Sequence, residues 1–136
     1  MALSTQDALI YLMIVSAWSD TAMSEVELQR IEDQILRLPV FAGFDTERLE
    51  EVANSCVDTL NGPQGLDGVL DAAVAAIPRR LQDTAYALAV EIAASDLRLE
   101  QEELRYLEMV RDRLEIDRLT TAAIEASARA RYRRAH

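Results

Sequence analysis

The sequence predicts an all-α protein of about seven helices, packed as a bundle around two similar helical hairpins. Apolar residues recur at helical spacing, whereas the alternation typical of β-strands is absent. Residues 6–38 resemble residues 82–114 without a gap, which indicates an internal repeat. The chain has 136 residues, of which 50% are hydrophobic. We therefore expect one domain over residues 1–136, since most domains contain ~100–150 residues.

Caps, breakers and charge-free stretches predict where the first four helices begin and end. We expect seven helices, over about residues 5–18, 25–38, 45–59, 66–77, 78–94, 100–114 and 117–132. Residues 9–15 carry no charge, which is typical of a helix in the centre of a bundle. Ser24 opens the second helix and Pro39 stops it. Asp45 is the N-cap of the third, and the breaker at residues 61–65 precedes the fourth.

The last three helices follow from similar signals. Pro78 suits the first turn of the fifth helix, because its missing N–H needs no partner there. Residues 85–94 contain a single charge, Glu91, so this helix is also central. The sixth helix is amphipathic, and Asp117 opens the seventh.

The repeat relates two helical hairpins. Residues 6–38 and 82–114 are identical at 11 of 33 aligned positions, and the shift between them is 76 residues. The shared residues are Gln6, Asp7, Leu12, Ala17, Ser19, Asp20, Glu27, Leu28, Glu32, Arg37 and Leu38, which recur at 82, 83, 88, 93, 95, 96, 103, 104, 108, 113 and 114. We expect the two hairpins to be related by a pseudo-twofold axis.

An acidic turn lies within each copy of the repeat. In each, an Asp is followed seven residues later by a Glu, as Asp20 with Glu27 and Asp96 with Glu103. One interpretation is structural: Ser24 and Glu27 fit a capping box, and acids stabilise helix N-termini. The other is a weak site for a divalent cation (Ca²⁺, Mg²⁺, Mn²⁺ or Zn²⁺), because carboxylate oxygens are suitable ligands.

A third carboxylate is available to each acidic turn if the central helices are antiparallel. Asp7 then approaches the turn that holds Asp96, and Asp83 approaches the turn that holds Asp20. Glu27 and Glu103 each stand one helical step before a core-facing residue, so we expect each at the head of the core-facing side of its helix and not on the solvent face.

Scarce residues exclude several kinds of catalytic site. His136 is the sole histidine and Cys56 the sole cysteine, so a Ser-His-Asp triad, a zinc ribbon and an intrachain disulfide are not expected. No nucleophile–base pair is visible, and we expect a protein that is not an enzyme. Cys56 and the aromatic residues Tyr11 and Trp18 are expected in the core.

The charge is uneven along the chain. Residues 1–77 hold 13 acids and 3 Arg, whereas residues 78–136 hold 11 of each, which gives the net charge of −10. This excess of acidic residues argues against nucleic acid as a partner and favours cations or proteins. The apolar run at residues 8–18 follows Asp7 and is too short to span a bilayer, so we expect a soluble cytoplasmic protein without a transmembrane segment.

Two other charged features allow more than one interpretation. Glu91 is expected to face a gap or to pair with an arginine. The arginines at 129, 131, 133 and 134 fit a solvated helix end, favoured by the helix dipole. Contact with a membrane or an acidic partner is the alternative for this segment.

At the acidic turns the chain resembles the tellurite-resistance TerB-like family, whose domain also occurs in a membrane-anchored DnaJ-like chaperone. The family hallmark is an Ala/Ser-Asp-Gly turn, a hydrophobic residue and a Glu seven after the Asp. The matching residues are Ser19, Asp20, Met23 and Glu27, then Ser95, Asp96, Leu99 and Glu103. The family's turn glycine is replaced by Thr21 and by Leu97.

The resemblance covers roughly residues 5–130 and implies a duplicated all-helical fold. It also implies a non-enzymatic role in the response to tellurite and other toxic oxyanions, with cation binding or sensing at the two turns, and a protein partner such as another stress-response or membrane-associated protein. A plain interaction module, in which the acidic surface binds a protein and no metal takes part, is the alternative.

Overall fold

A computed structural model describes residues 3–17, 24–95 and 101–136, including all their side chains except those of 101–104. Seven α-helices lie in these residues, at α1 (Thr5–Ala17), α2 (Glu25–Arg37), α3 (Leu49–Leu60), α4 (Gly65–Ala75), α5 (Gln82–Ser95), α6 (Gln101–Arg113) and α7 (Arg118–Arg131). Three single turns of 3-10 helix occupy Pro39–Phe41, Thr46–Arg48 and Arg79–Leu81. The described residues contain no β-strand, and the predicted all-α class is confirmed.

The predicted caps of α2 and α7 are confirmed. Ser24 and Asp117 both have extended backbones, and each side chain accepts a hydrogen bond from an amide three residues on.

The prediction for Pro78 was wrong in detail. Pro78 has an extended backbone and precedes a 3-10 turn, so α5 begins only at Gln82. Tight 3-10 turns of this kind often precede α-helices, and helical periodicity does not reveal them.

α1 and α5 form the centre of the bundle, as their apolar sequences predict. Residues 8–16 of α1 are all buried, and most of α5 is buried as well. The two helices pack against each other, and α1 also contacts α2, α3 and α4. In the described part of the chain, no helix combines the length and apolar character needed to cross a membrane.

The two central helices have similar neighbours. α2 and α3 pack on α1, whereas α6 and α7 pack on α5. Tyr11 of α1 donates to Ser55 Oγ of α3 at 2.9 Å, and Gln82 Oε1 of α5 accepts from the Glu115 amide, just after α6, at 2.7 Å. The two helices of each hairpin are in contact, α1 with α2 and α5 with α6. The pseudo-twofold relation between the copies stays a prediction.

Polar contacts join the two copies to each other and to α4. Tyr106 of α6 is buried and donates to the Leu12 carbonyl of α1 at 2.8 Å. Arg113, at the end of α6, bonds Asp67 at 2.8 Å and Asp71 at 3.2 Å on α4. Thr5, at the start of α1, donates to the Ala76 carbonyl after α4 at 2.9 Å. These contacts fix α4 between the repeats.

Candidate functional site

Most of the two acidic turns lies outside the described residues. Glu27 is the one proposed cation ligand whose side chain the structure places, since Glu103 lies in α6 among the residues without described side chains. The other residues predicted for the turns or next to them fall in 18–23 or 96–100 and are not described: Trp18, Ser19, Asp20, Thr21, Met23, Asp96, Leu97 and Leu99. How the Asp of each turn lies relative to its Glu stays a prediction.

Glu27 takes part in the predicted capping box at the start of α2. The Glu27 amide donates to Ser24 Oγ at 3.2 Å, and the Ser24 amide donates to Glu27 Oε2 at 3.2 Å. The two bonds satisfy amides that have no partner within the helix. A carboxylate oxygen has two lone-pair positions, so this cap leaves Glu27 with capacity to accept another donor or a cation.

The position of Glu27 follows from the buried stripe of α2. Ile31 is 0% exposed and Ile35 is 4% exposed, and Glu27 lies one helical turn before Ile31. Glu27 itself is half-buried, at the boundary between this stripe and the residues that precede α2. Glu27 thus heads the core-facing side of α2, as predicted, and its burial is intermediate.

Asp7 of α1, predicted as a third carboxylate near a turn, forms an ion pair. Arg48 Nη2 lies 3.1 Å from Asp7 Oδ2, and the Arg48 guanidinium also lies 5.5 Å from the centre of the Phe44 ring. The hydrogen bond and charge of Asp7 raise the pKa of Arg48. Asp7 Oδ1 is buried and has no hydrogen-bond partner among the described residues. In this conformation, Arg48 already neutralises the Asp7 carboxylate.

Asp83, the corresponding residue of α5, is exposed and has a different environment. Its Oδ1 accepts from the Thr84 amide at 2.7 Å, a local contact at the start of the helix. The two residues that are identical in the repeat therefore differ in structure. Asp83 is the more accessible to a cation.

Glu91 of α5 pairs with an arginine, one of its two predicted environments. Arg131 Nη2, at the end of α7, lies 2.8 Å from Glu91 Oε1, while Glu91 Oε2 is buried without a hydrogen-bond partner among the described residues. Burial and the nearby Glu91 carboxylate raise the pKa of Tyr132, whereas the charges of Arg131 and Arg37 act in the opposite direction.

A groove between α5 and α7 is a feature that the sequence analysis missed. It has a volume of about 260 Å³, and Val90 and Ile124 are among the apolar residues of its walls. Arg131 lines it as well. The many alanines of α7 were a sequence signal for it, because small side chains leave space between packed helices.

A second missed feature is a polar cluster that joins three helices. Tyr86 of α5 is 1% exposed and donates to Glu125 Oε2 of α7 at 2.5 Å. Arg111 of α6 donates to the same oxygen at 3.1 Å. Burial and the Glu125 carboxylate raise the pKa of the Tyr86 phenol. The cluster fixes α6 and α7 on α5.

The described residues hold no reactive thiol and no ready-made metal cage. Cys56 is 0% exposed, as predicted for a core residue, and burial raises its pKa to about 12. The thiol therefore stays protonated and inaccessible. Among the described side chains, no group of three or more His, Cys, Asp or Glu residues is placed to hold a metal ion.

The resemblance of the two acidic turns to the TerB-like family stays a prediction. No family model, curated protein or solved structure matches the chain.

Proposed function

We propose that this chain is a non-enzymatic TerB-like stress-response protein of the cytoplasm, linked to resistance against tellurite and other toxic oxyanions. In this proposal it binds a divalent cation at two acidic turns, one with Asp20 and Glu27 and the other with Asp96 and Glu103. Its partners are proteins, such as other stress-response or membrane-associated proteins, and not nucleic acids. The acidic body, with a net charge of −10, supports this choice of partner.

The observation that carries the proposal is the way the acidic turn repeats. Asp20 and Glu27 both recur 76 residues later, whereas Ser24 becomes Glu100. Ser24 is the residue that completes the capping box of α2. A Ser-based cap therefore does not explain why the Asp and the Glu are both retained in the second copy. Cation binding does, because it needs the two carboxylates and not the serine.

The chemistry of the described residues supports a binding role over a catalytic one. Cys56 is buried and protonated, and His136 is exposed beyond the end of α7. The buried tyrosines Tyr86 and Tyr106 have pKa values raised by burial, which makes them poor bases or nucleophiles near neutral pH. Tyr86 does adjoin the Glu125 carboxylate, but Arg111 binds the same oxygen, and the pKa of the Tyr86 phenol is raised and not lowered there.

Calorimetric titration of the purified chain with Ca²⁺, Mg²⁺, Mn²⁺ and Zn²⁺ tests the proposal. Two carboxylates per turn without a rigid cage suggest a dissociation constant of about 10⁻⁴–10⁻³ M. We expect binding in the wild type and its loss in the double variant Asp20→Asn/Asp96→Asn. Asp33→Asn is the matched control, because Asp33 is an exposed acid of α2 outside the turns. Absence of binding at millimolar metal, or equal binding by the double variant, would overturn the proposal.

A protein-interaction module without metal is the second candidate, and the cap at α2 favours it. Glu27 Oε2 already accepts the Ser24 amide at 3.2 Å, so this carboxylate has a structural use that needs no cation. The 13 acids of residues 1–77 then serve as a surface for a basic protein. Partner binding that is unchanged by a chelator favours this candidate, whereas loss of binding with chelator favours the first.

A further inference from the structure

α4 covers the surface between the central helix α1 and the helix that follows the first hairpin. It packs on both α1 and α3. The residues of its packing side are 0% exposed and comprise Val69, Leu70 and Ala73. Beside them, Asp67 and Asp71 bind Arg113, at the end of α6, at 2.8 and 3.2 Å. α4 is therefore an amphipathic, acidic helix whose acids meet an arginine.

The two helices under α4 run in the same direction. Near the middle of both, Tyr11 of α1 donates to Ser55 Oγ of α3 at 2.9 Å. Near the start of both, Asp7 pairs with Arg48, the residue before α3. The surface that α4 covers is thus formed by a pair of parallel helices, one of which is central.

α5 and α7 form a second pair of this kind. Tyr86 bonds Glu125, and further along both helices Glu91 bonds Arg131. α5 and α7 therefore also run in the same direction, and α5 is the counterpart of α1 in the sequence repeat. Among the described helices, α7 packs mainly on α5, and none lies across both as α4 lies across α1 and α3. Residues 132–136, after α7, form no further helix.

The second pair leaves an open groove of about 260 Å³. Val90 and Ile124 are among its apolar walls, and Ala123 and Arg131 are exposed at its rim. The volume exceeds the ~150 Å³ of a cavity that accepts benzene, so apolar side chains of an occupant fit. A concave surface between two helices suits another helix and not a flat lipid surface.

The net charge at the end of the groove is positive. Residues 126–136 hold four arginines and no acid, and one of them, Arg131, lines the groove. α5 and α7 contain three acids, and two have arginine partners: Glu91 binds Arg131 itself, and Glu125 binds an arginine of α6. The third, Asp83, lies about two helical turns before Glu91. Acids of an occupant therefore find complementary charge at the end of α7.

We propose that the α5–α7 groove binds an amphipathic, acidic α-helix of a protein partner, in the way that α4 packs on α1 and α3. Apolar residues of the partner at helical spacing enter the groove, and its acids lie beside the arginines at the end of α7. The net charge of −10 opposes the approach of an acidic partner at long range, so the contact is weak. It does not depend on cation binding.

NMR titration of the ¹⁵N-labelled full chain in chelator tests the proposal, with a synthetic peptide of residues 62–78 as the probe. This peptide has the sequence of α4 and therefore the required pattern. At millimolar peptide we expect signal shifts concentrated at residues 87–91 and 123–131. A peptide with Asp67→Asn and Asp71→Asn should bind more weakly, by roughly two- to fivefold for each acid, as for exposed ion pairs.

Two substitutions on α7 provide the variant and its matched control. Ala123→Glu adds a bulky negative charge at the rim of the groove and should abolish peptide binding. Ala122→Glu adds the same charge about 100° around the helix, outside the residues that line the groove, and should bind like the wild type. Both alanines are exposed, so circular dichroism should show wild-type helicity for both variants.

No shifts at millimolar peptide, or equal binding by Ala123→Glu, would overturn the proposal. Shifts confined to α1 and α3 would also overturn it, because they would show that the peptide replaces α4 in its own place. Sedimentation velocity of the chain alone should give the monomer mass of 15.2 kDa. A dimer that Ala123→Glu dissociates would assign the groove to a second copy instead. Binding to phosphatidylglycerol vesicles that Ala123→Glu abolishes would assign it to a lipid surface.

Discussion

Glu27 has two uses that draw on the same carboxylate. Its Oε2 accepts the Ser24 amide at 3.2 Å, and the proposed cation site needs the same side chain. Its half-buried place before Ile31 limits the space in which the carboxylate can move. Capping needs only an acceptor oxygen, whereas cation binding also needs the negative charge. A substitution that removes the charge and keeps the oxygen therefore separates the two uses.

We expect Glu27→Gln to remove the response of stability to metal. Glutamine keeps the shape of the side chain and the oxygen that accepts in the cap. In chelator, the free energy of unfolding of Glu27→Gln should therefore be lower than that of the wild type by no more than about 0.5–1 kcal/mol, the size of the dipole effect. A cation at ten times its dissociation constant should stabilise the wild type by about 1.4 kcal/mol per site and the variant less. Thermal melts with chelator and with metal measure both quantities.

Glu25→Gln is the control for this experiment, because Glu25 is an exposed acid of the same first turn that takes no part in the cap. Its metal response should equal that of the wild type. Identical responses in wild type and Glu27→Gln would remove Glu27 from the cation site. A variant more stable than the wild type in chelator would show instead that carboxylates repel each other at this turn.

At the scale of single elements, the sequence predicts helices well where polar caps mark their ends. Ser24 and Asp117 are N-caps as predicted, and Pro39 directly follows the end of α2 after Leu38. The 3-10 turns were not predicted, because three residues are too few to show a period. Their effect is visible at Pro78, where the helix begins four residues later than expected.

Substitution of Ser24 should destabilise α2 through its cap. We expect Ser24→Ala to lower the free energy of unfolding by about 1 kcal/mol, because the Glu27 amide loses its acceptor. Ser24→Asn restores an acceptor and should cost much less. Urea unfolding followed by circular dichroism measures the difference. Equal stability of the two variants would contradict a working cap.

At the scale of the whole molecule, long-range polar contacts hold the repeats together, and the sequence does not reveal them. The repeat and the apolar helices predict that α1 and α5 are central. They do not predict that Tyr106 reaches Leu12, or that Tyr86 and Arg111 share Glu125, because these partners lie 14 to 94 residues apart in the chain. Such pairs follow from the packing of helices and leave no periodic signal.

Tyr106→Phe tests how far one of these contacts stabilises the packing of the repeats. The phenol is buried and donates to the Leu12 carbonyl at 2.8 Å, while Ser16 Oγ donates to the same carbonyl at 2.9 Å. Because Ser16 still donates to that carbonyl in the variant, we expect the free energy of unfolding to fall by about 0.5–1.5 kcal/mol. The larger cost of a buried polar group without a partner does not apply. Denaturant unfolding measures it, and an unchanged midpoint would show that the bond contributes nothing.

The candidate site was predictable only in part, because one of its predicted carboxylates pairs with a residue that is distant in the chain. The sequence predicts Asp20 at the end of the first helix and Glu27 in the first turn of α2, and the structure confirms the place of Glu27 in that turn, whereas Asp20 lies outside the described residues. The pairing of Asp7 with Arg48 was not predicted, because Arg48 lies 41 residues away in the 3-10 turn before α3. Among the described side chains, Asp83 has no such partner, so the two turns need not bind a cation equally.

The most direct test of the proposed function is an NMR titration of the ¹⁵N-labelled chain with Mn²⁺, whose unpaired electrons broaden nearby amide signals. We expect selective broadening at residues 20–27 and 96–103, reversed by excess Ca²⁺ or Mg²⁺ and absent in Asp20→Asn/Asp96→Asn. The exposed acids Glu50 and Glu51 of α3 provide the internal reference for non-specific attraction. Broadening that is equal at α3 and at the two turns, or absent from the turns, would contradict cation binding by the repeated Asp and Glu.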